Sequence, residues 1–127
     1  MKFLLPSALV LAAGAMIAPL TQVAAADPAP NGQALFAQRC QACHTVVAGQ
    51  RGVLAPNLAG VTGRKAASVA QFNYSPALKA SNVTWTRANL DRFLQGPGAM
   101  VPGTRMVITV ANPQERAAIL SFLATKR

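Results

Sequence analysis

The sequence predicts a small all-α domain, a few helices joined by long loops, behind an N-terminal export leader. Three observations carry that expectation. Helix caps followed by apolar stripes recur along the chain after residue 30. Glycine and proline crowd the segments between them. The two cysteines and the single histidine of the whole 127-residue chain all fall within Cys40-Gln41-Ala42-Cys43-His44.

The leader is read from Met1 to Ala26. Lys2 supplies a short positive start, Phe3 to Ala26 carries no charge, and Ala24-Ala25-Ala26 is a small-residue cleavage site. The uncharged stretch is also long enough to cross a bilayer, so a retained anchor is the alternative. Either way residues 27–127 form one exported domain, expected in a bacterial periplasm. Export bears on the formal charge of +9, which would otherwise suggest nucleic acid. The basic residues are scattered, mostly arginine, and form no run with interleaved aromatics, so no nucleic-acid partner is expected. About 100 residues is small for a self-sufficient core.

Along that domain, Asn31 or Gly32 can start a helix running to about Cys40, with Leu35, Phe36 and Cys40 on one face. Residues 45–64 hold Gly49, Gly52, Pro56, Gly60 and Gly63 and read as a long loop. A stretch of that length without structure is unusual unless it wraps something. Ser75-Pro76 is a cap with proline at the first helical position, opening a short helix to about Ala80. Thr86 can cap a helix whose stripe of Leu90, Phe93 and Leu94 stops at Gly96-Pro97. Gly96 to Gly103 reads as a second loop, and Val107 to Val110 as a short extended segment. Asn112-Pro113-Gln114-Glu115 resembles a capping box and opens a last helix bearing Ile119, Leu120, Phe122 and Leu123.

A Cys-x-x-Cys pair followed directly by His is the attachment signature for a c-type haem. Two thiols at that spacing add across the vinyl groups of one porphyrin edge, and the next residue brings an imidazole to the iron. The rival readings are weaker. A dithiol redox pair usually opens a helix after a strand, and residues 32–39 read as helix. Structural zinc needs four ligands where the chain offers two thiols and one imidazole. A disulfide closing so short a loop would stabilise little. With His44 the sole histidine, the sixth iron position cannot be another imidazole, and the candidates in the exported domain are Met100 and Met106. Met106 closes the stiff turn Val101-Pro102-Gly103-Thr104-Arg105-Met106, whereas Met100 follows a looser Gly-Pro-Gly-Ala run. If both methionines were core fillers, the iron would be open or lysine-bound, which suits a peroxidase-like enzyme or a gas sensor. A thiol–disulfide oxidoreductase is the remaining alternative.

From Gly32 to about Leu123 the chain resembles class I cytochrome c, of the mitochondrial and bacterial cytochrome c2 type. The ordered set is Cys40-x-x-Cys43-His44, Pro56-Asn57-Leu58, Gly63-Arg64-Lys65, Phe72-x-Tyr74, Thr84-Trp85, Pro102-Gly103-Thr104-x-Met106 and a closing helix with Phe122. The resemblance implies one haem c wrapped by helices and loops. Cys40 and Cys43 would form its thioethers, and His44 and Met106 would be the axial ligands. The Pro56 carbonyl would fix the His44 ring, and Arg64, Tyr74 and Trp85 would meet the buried propionate. Thr104 would be another residue surrounding the haem, and Gly32 and Phe36 would let the first helix cross the last near Phe122.

It also implies a non-enzymatic, monomeric one-electron carrier docking through its exposed haem edge. An oxidase, a reaction centre, a bc1 complex or a dehydrogenase could each be the partner. Departures are specific. Phe93 stands where the family usually has a tyrosine reaching the methionine sulfur, and Leu78 replaces a polar residue near an internal water. These two changes push the potential in opposite directions. Arg39, Arg51 and Arg105 remain of the basic ring around the haem edge, while Val53 and Gly98 carry no charge.

Overall fold

The computed structural model describes residues 28–52 and 54–127, so the leader expected over residues 1–26 lies outside it. Five helices follow in order: α1 (Gly32–Arg39), α2 (Pro76–Ala80), α3 (Arg87–Gln95), α4 (Pro97–Met100) and α5 (Pro113–Ala124). No strand is formed among the described residues, only an isolated antiparallel bridge between Lys65 and Thr84. The all-α expectation holds.

Each longer helix starts where a short polar side chain can take an orphan amide. Asn31 accepts from Ala34 N at 3.1 Å, Ser75 from Leu78 N at 3.2 Å and Thr86 from Asn89 N at 3.2 Å. Asn112 accepts from both Gln114 N and Glu115 N, at 2.8 and 3.2 Å. Each such cap contributes roughly 1 kcal/mol. The expected capping box is only half made. Glu115 turns away from the Asn112 amide and pairs with Arg39 on α1 at 2.7 Å.

Two loop expectations change. The Gly96–Gly103 loop contains α4, a single turn that Pro97 starts with its preset φ and that ends when Val101 N bonds the Pro97 carbonyl. Val107 to Val110 pairs with no strand; Val110 alone is anchored, its amide bonding Leu94 O at 2.8 Å.

The core lies where α1 and α3 meet α5. Phe36, Leu90, Phe93, Leu94, Ile119, Leu120 and Leu123 are buried there, joined by Val61, Trp85, Val101 and Val110 from the loops. A β-carbon on Gly32 would lie 2.1 Å from the Ala118 carbonyl oxygen, so only glycine lets α1 cross α5 this closely. Phe36 and Phe122 meet across that crossing, with ring centroids 5.4 Å apart. By contrast α2 packs against no other helix and sits among the loops.

Candidate haem site

The pentad emerges from the end of α1. Cys40 caps the helix, its amide bonding Phe36 O, and the chain turns so that Cys43 N and His44 N both bond Cys40 O, at 3.1 and 2.9 Å. The two thiols are half-buried and not joined to each other. Burial pushes the Cys40 thiol above its ordinary value, against the opposing pull of Arg39.

His44 donates from Nδ1 to the Pro56 carbonyl at 2.7 Å. Burial holds its pKa below the usual imidazole value, with the Pro56 bond pulling weakly the other way. A carbonyl can only accept, so the bond fixes the proton at Nδ1 and leaves Nε2 as the nitrogen that can donate its lone pair. The loop that presents Pro56 is organised by Asn57. Its Nδ2 bonds the carbonyls of Val47 and Gln50, both at 2.7 Å, and its Oδ1 takes the Ala59 amide at 2.7 Å. Sequence reasoning gave Asn57 no role, although an Asx turn beside a proline was a readable signal.

Residues 63–66 and 83–85 are zipped by backbone bonds, Gly63 N to Trp85 O, Trp85 N to Arg64 O and Ala66 N to Val83 O, each 2.8 Å. That pairing brings Arg64 and Trp85 onto neighbouring strands of chain. Arg64 donates to the carbonyls of Ala59 and Asn57, both at 2.9 Å, and reaches neither Tyr74 nor Trp85 by a hydrogen bond. Its burial lowers its pKa, partly offset by the nearby Tyr74. Tyr74 is buried and its hydroxyl accepts from Val69 N at 3.2 Å. Trp85 is buried against Phe93, centroids 4.9 Å apart, and its indole N–H has no partner among the described residues. Because no sealed side-chain polar atom lacks a partner, that N–H must open onto accessible space.

Met106 is partly buried against the core, and its amide bonds Thr104 Oγ1 at 3.4 Å. Met100, at the end of α4, is also partly buried there. Arg105 ties the turn to the Tyr74 side by donating to Asn73 O at 2.8 Å. Val46, Leu58, Leu78, Val83 and Met106 all share this half-buried state.

The donor set suits a haem. It offers two unjoined thiols in a Cys-x-x-Cys pair, an imidazole fixed through Nδ1, a soft thioether, a free indole donor, and partly buried apolar side chains. Zinc or dithiol chemistry uses none of the last three.

Comparison with known proteins agrees. The chain matches the family "Cytochrome c" over residues 29–126. It is 45% identical over 104 residues to cytochrome c2 of Rhodomicrobium vannielii, covering 81% of this chain and 82% of that one. Cytochrome c-554 of Methylosinus trichosporium is 39% identical over 103 residues, covering 80% of this chain and 76% of the relative. Among solved structures, cytochrome cH from Methylobacterium extorquens superposes with a TM-score of 0.69 at 37% identity, covering 75% of this chain and 95% of that one. The chain belongs to the cytochrome c family, in its class I branch. Its cofactor is one covalently attached haem c, and its general role is that of a haem-based electron carrier.

Proposed function

We propose that this chain is an exported, non-enzymatic, single-haem carrier that shuttles one electron at a time between larger redox proteins of the periplasm. Residues 1–26 act as the export leader and residues 27–127 as the carrier domain. In this reading Cys40 and Cys43 hold the haem through thioethers, His44 and Met106 occupy the two axial positions, and Thr104 steadies the methionine turn. Pro56 orients the imidazole, while Tyr74 and Trp85 offer their polar tips to a propionate. Arg64 contributes positive charge beside that propionate; two of its five N–H donors hold the Ala59 and Asn57 carbonyls. The haem supplies the reversible one-electron couple; a thioether ligand favours its ferrous form.

The observation that carries the reading is the 2.7 Å bond from His44 Nδ1 to Pro56 O, which leaves a neutral imidazole only one nitrogen to give. With both axial positions filled by protein, no position is left for a substrate. The test is an absorbance spectrum of the protein matured with haem. A low-spin ferric spectrum with the weak sulfur–iron band, lost in Met106→Ala and kept in Met100→Ala, supports it. High-spin ferric iron, or carbon monoxide binding by the reduced protein, supports the enzyme or sensor instead.

Docking follows from how thin the basic ring around the haem edge is, with Val53 and Gly98 uncharged. Arg39 is neutralised by Glu115, while Arg51 and Arg105 keep their charge and are held in place by Gln71 and the Asn73 carbonyl. Directly after Met106, Val107 and Ile108 are exposed at 81% and 49%. A partner would therefore meet an apolar edge more than a basic ring. Association rates nearly flat with ionic strength are expected, and a steep fall with salt would contradict this.

A further inference from the structure

We propose that Arg116 is a positioning residue for Met106: its guanidinium clamps one foot of the arch that carries the methionine, and so keeps the thioether at the iron. The inference rests on Met106 being an axial ligand.

Arg116 is 5% exposed, one of two buried polar or charged residues among those described. Its Nε bonds Asp91 Oδ1 on α3 at 2.8 Å, and its Nη1 donates to the carbonyls of Val110 and Ala111, at 2.9 and 2.8 Å. One side chain thus joins α3, α5 and the chain entering α5. A buried ion pair stabilises little in net terms, because desolvation offsets the attraction. Leucine or methionine could fill the same volume. What an arginine adds is direction, since two consecutive carbonyls are held in a fixed fork.

Those carbonyls sit at the foot of an arch. Val101 and Val110 are buried at 5% and 1%, while between them Pro102, Gly103, Arg105, Val107, Ile108 and Thr109 are exposed. The leading half is tied internally by Thr104 N to Val101 O and Met106 N to Thr104 Oγ1, and outward by Arg105 to Asn73 O. Residues 107–109 make no backbone hydrogen bond among the described residues. Behind Met106, the first attachment is Val110, held by its amide to Leu94 O and by its carbonyl to Arg116. Without the Arg116 bonds that foot keeps only the Val110 amide bond and the buried Val110 side chain, so the far end of the segment is closed less firmly. The effective concentration of the thioether at the iron then falls. A weak ligand is sensitive to such a loss, and an external ligand that competes for the same position gains by the same factor.

The test uses the haem-loaded ferric protein, with free imidazole as the competing probe. Arg116→Leu is expected to diminish the sulfur–iron band, lower the reduction potential and tighten imidazole binding by about tenfold. Asp91→Asn, which leaves the two carbonyl bonds but removes the anion, should tighten it by about threefold. It serves as the deciding variant should Arg116→Leu fail to accumulate. Glu115→Gln breaks the neighbouring Arg39 pair on the same helix without touching the arch, and should leave band, potential and imidazole affinity unchanged. A lower melting temperature in Arg116→Leu or Asp91→Asn with band and affinity unaltered would overturn the clamp, as would an equal response in Glu115→Gln. A band that survives Met106→Ala sinks the ligand assignment and the positioning role together. A band lost in Met106→Ala yet intact in Arg116→Leu sinks the clamp alone.

Discussion

The two halves of this molecule bury their apolar groups in different ways. Where α1, α3 and α5 meet, Phe36, Phe93, Ile119, Leu120 and Leu123 are all buried by protein. Around the loops of residues 44–75 and 101–109, Val61, Tyr74 and Val101 are buried, but Val46, Leu58 and Met106, with Leu78 of the adjoining α2, are only partly buried. The first half follows the ordinary rule that helices bury stripes against one another. The second half is built for a partner that is not polypeptide, and its loops take shape from hydrogen bonds to backbone carbonyls. One region is specified by packing, the other by a cofactor that the sequence merely frames.

The sharpest way to break this contrast is to withhold the haem. If the loop half is completed only by porphyrin, a Cys40→Ala, Cys43→Ala double variant should lose most of its helical circular dichroism. It should then melt without a cooperative transition, since a chain of about 100 residues cannot spare that much buried area. A haem-free chain that melted cooperatively near the temperature of the parent would show the helical half to be self-sufficient. Gly32→Ala attacks the other half. Its β-carbon would sit 2.1 Å from the Ala118 carbonyl oxygen, with backbone on the receiving side, so α1 and α5 must move apart. A loss of about 2–3 kcal/mol is expected by chemical denaturation, with the sulfur–iron band retained at low denaturant.

How much of this was legible in the sequence divides along the same line. Caps at Asn31, Ser75, Thr86 and Asn112 announce their helices because capping is local chemistry, written within three residues. The pentad was legible for the same reason: its spacing is its meaning. The α4 turn was not, because Gly96-Pro97-Gly98 reads as punctuation until Pro97 is seen to act as a first helical residue. Glu115 looked like the second half of a capping box, and only the fold could show Arg39 waiting on α1. Arg116 and Asp91, 25 positions apart, look like two more surface charges. Burial and pairing are properties of the tertiary arrangement, and no short pattern encodes them. Arg64 shows what the resemblance leaves out. The matching motif sets it beside a propionate, and the structure adds that two of its N–H groups also brace the loop that bears Pro56, which no short pattern announces.

Within the loop half, the turn before the methionine tests whether backbone shape matters there as packing does elsewhere. Gly103 has φ +90, and an added β-carbon would meet Ala77 of α2 at 3.1 Å. Gly103→Ala is expected to cost about 1–2 kcal/mol, from the left-handed conformation and the crowding together. It should also weaken the sulfur–iron band, because the strain falls three residues before Met106. A stability loss with an unchanged band would mean the turn and the ligand are uncoupled.

The smallest effect runs in the opposite direction. Ala67 follows the Lys65–Thr84 bridge and adopts φ +57, a left-handed conformation in which its β-carbon crowds the following carbonyl. Ala66 is already fixed by its bond to Val83 O, so the chain cannot relax the angle without giving up the pairing that sets Arg64 beside Trp85. Ala67→Gly removes the crowding, worth about 1–2 kcal/mol, but gives back part of it as extra freedom in the unfolded chain. The net expectation is a gain of about 0.5–1 kcal/mol, seen as a higher denaturation midpoint with the same slope. Such a gain would show that this loop holds an unfavourable backbone angle because its hydrogen bonds outweigh it. A loss of stability would mean that the Ala67 methyl makes contacts worth more than the strain.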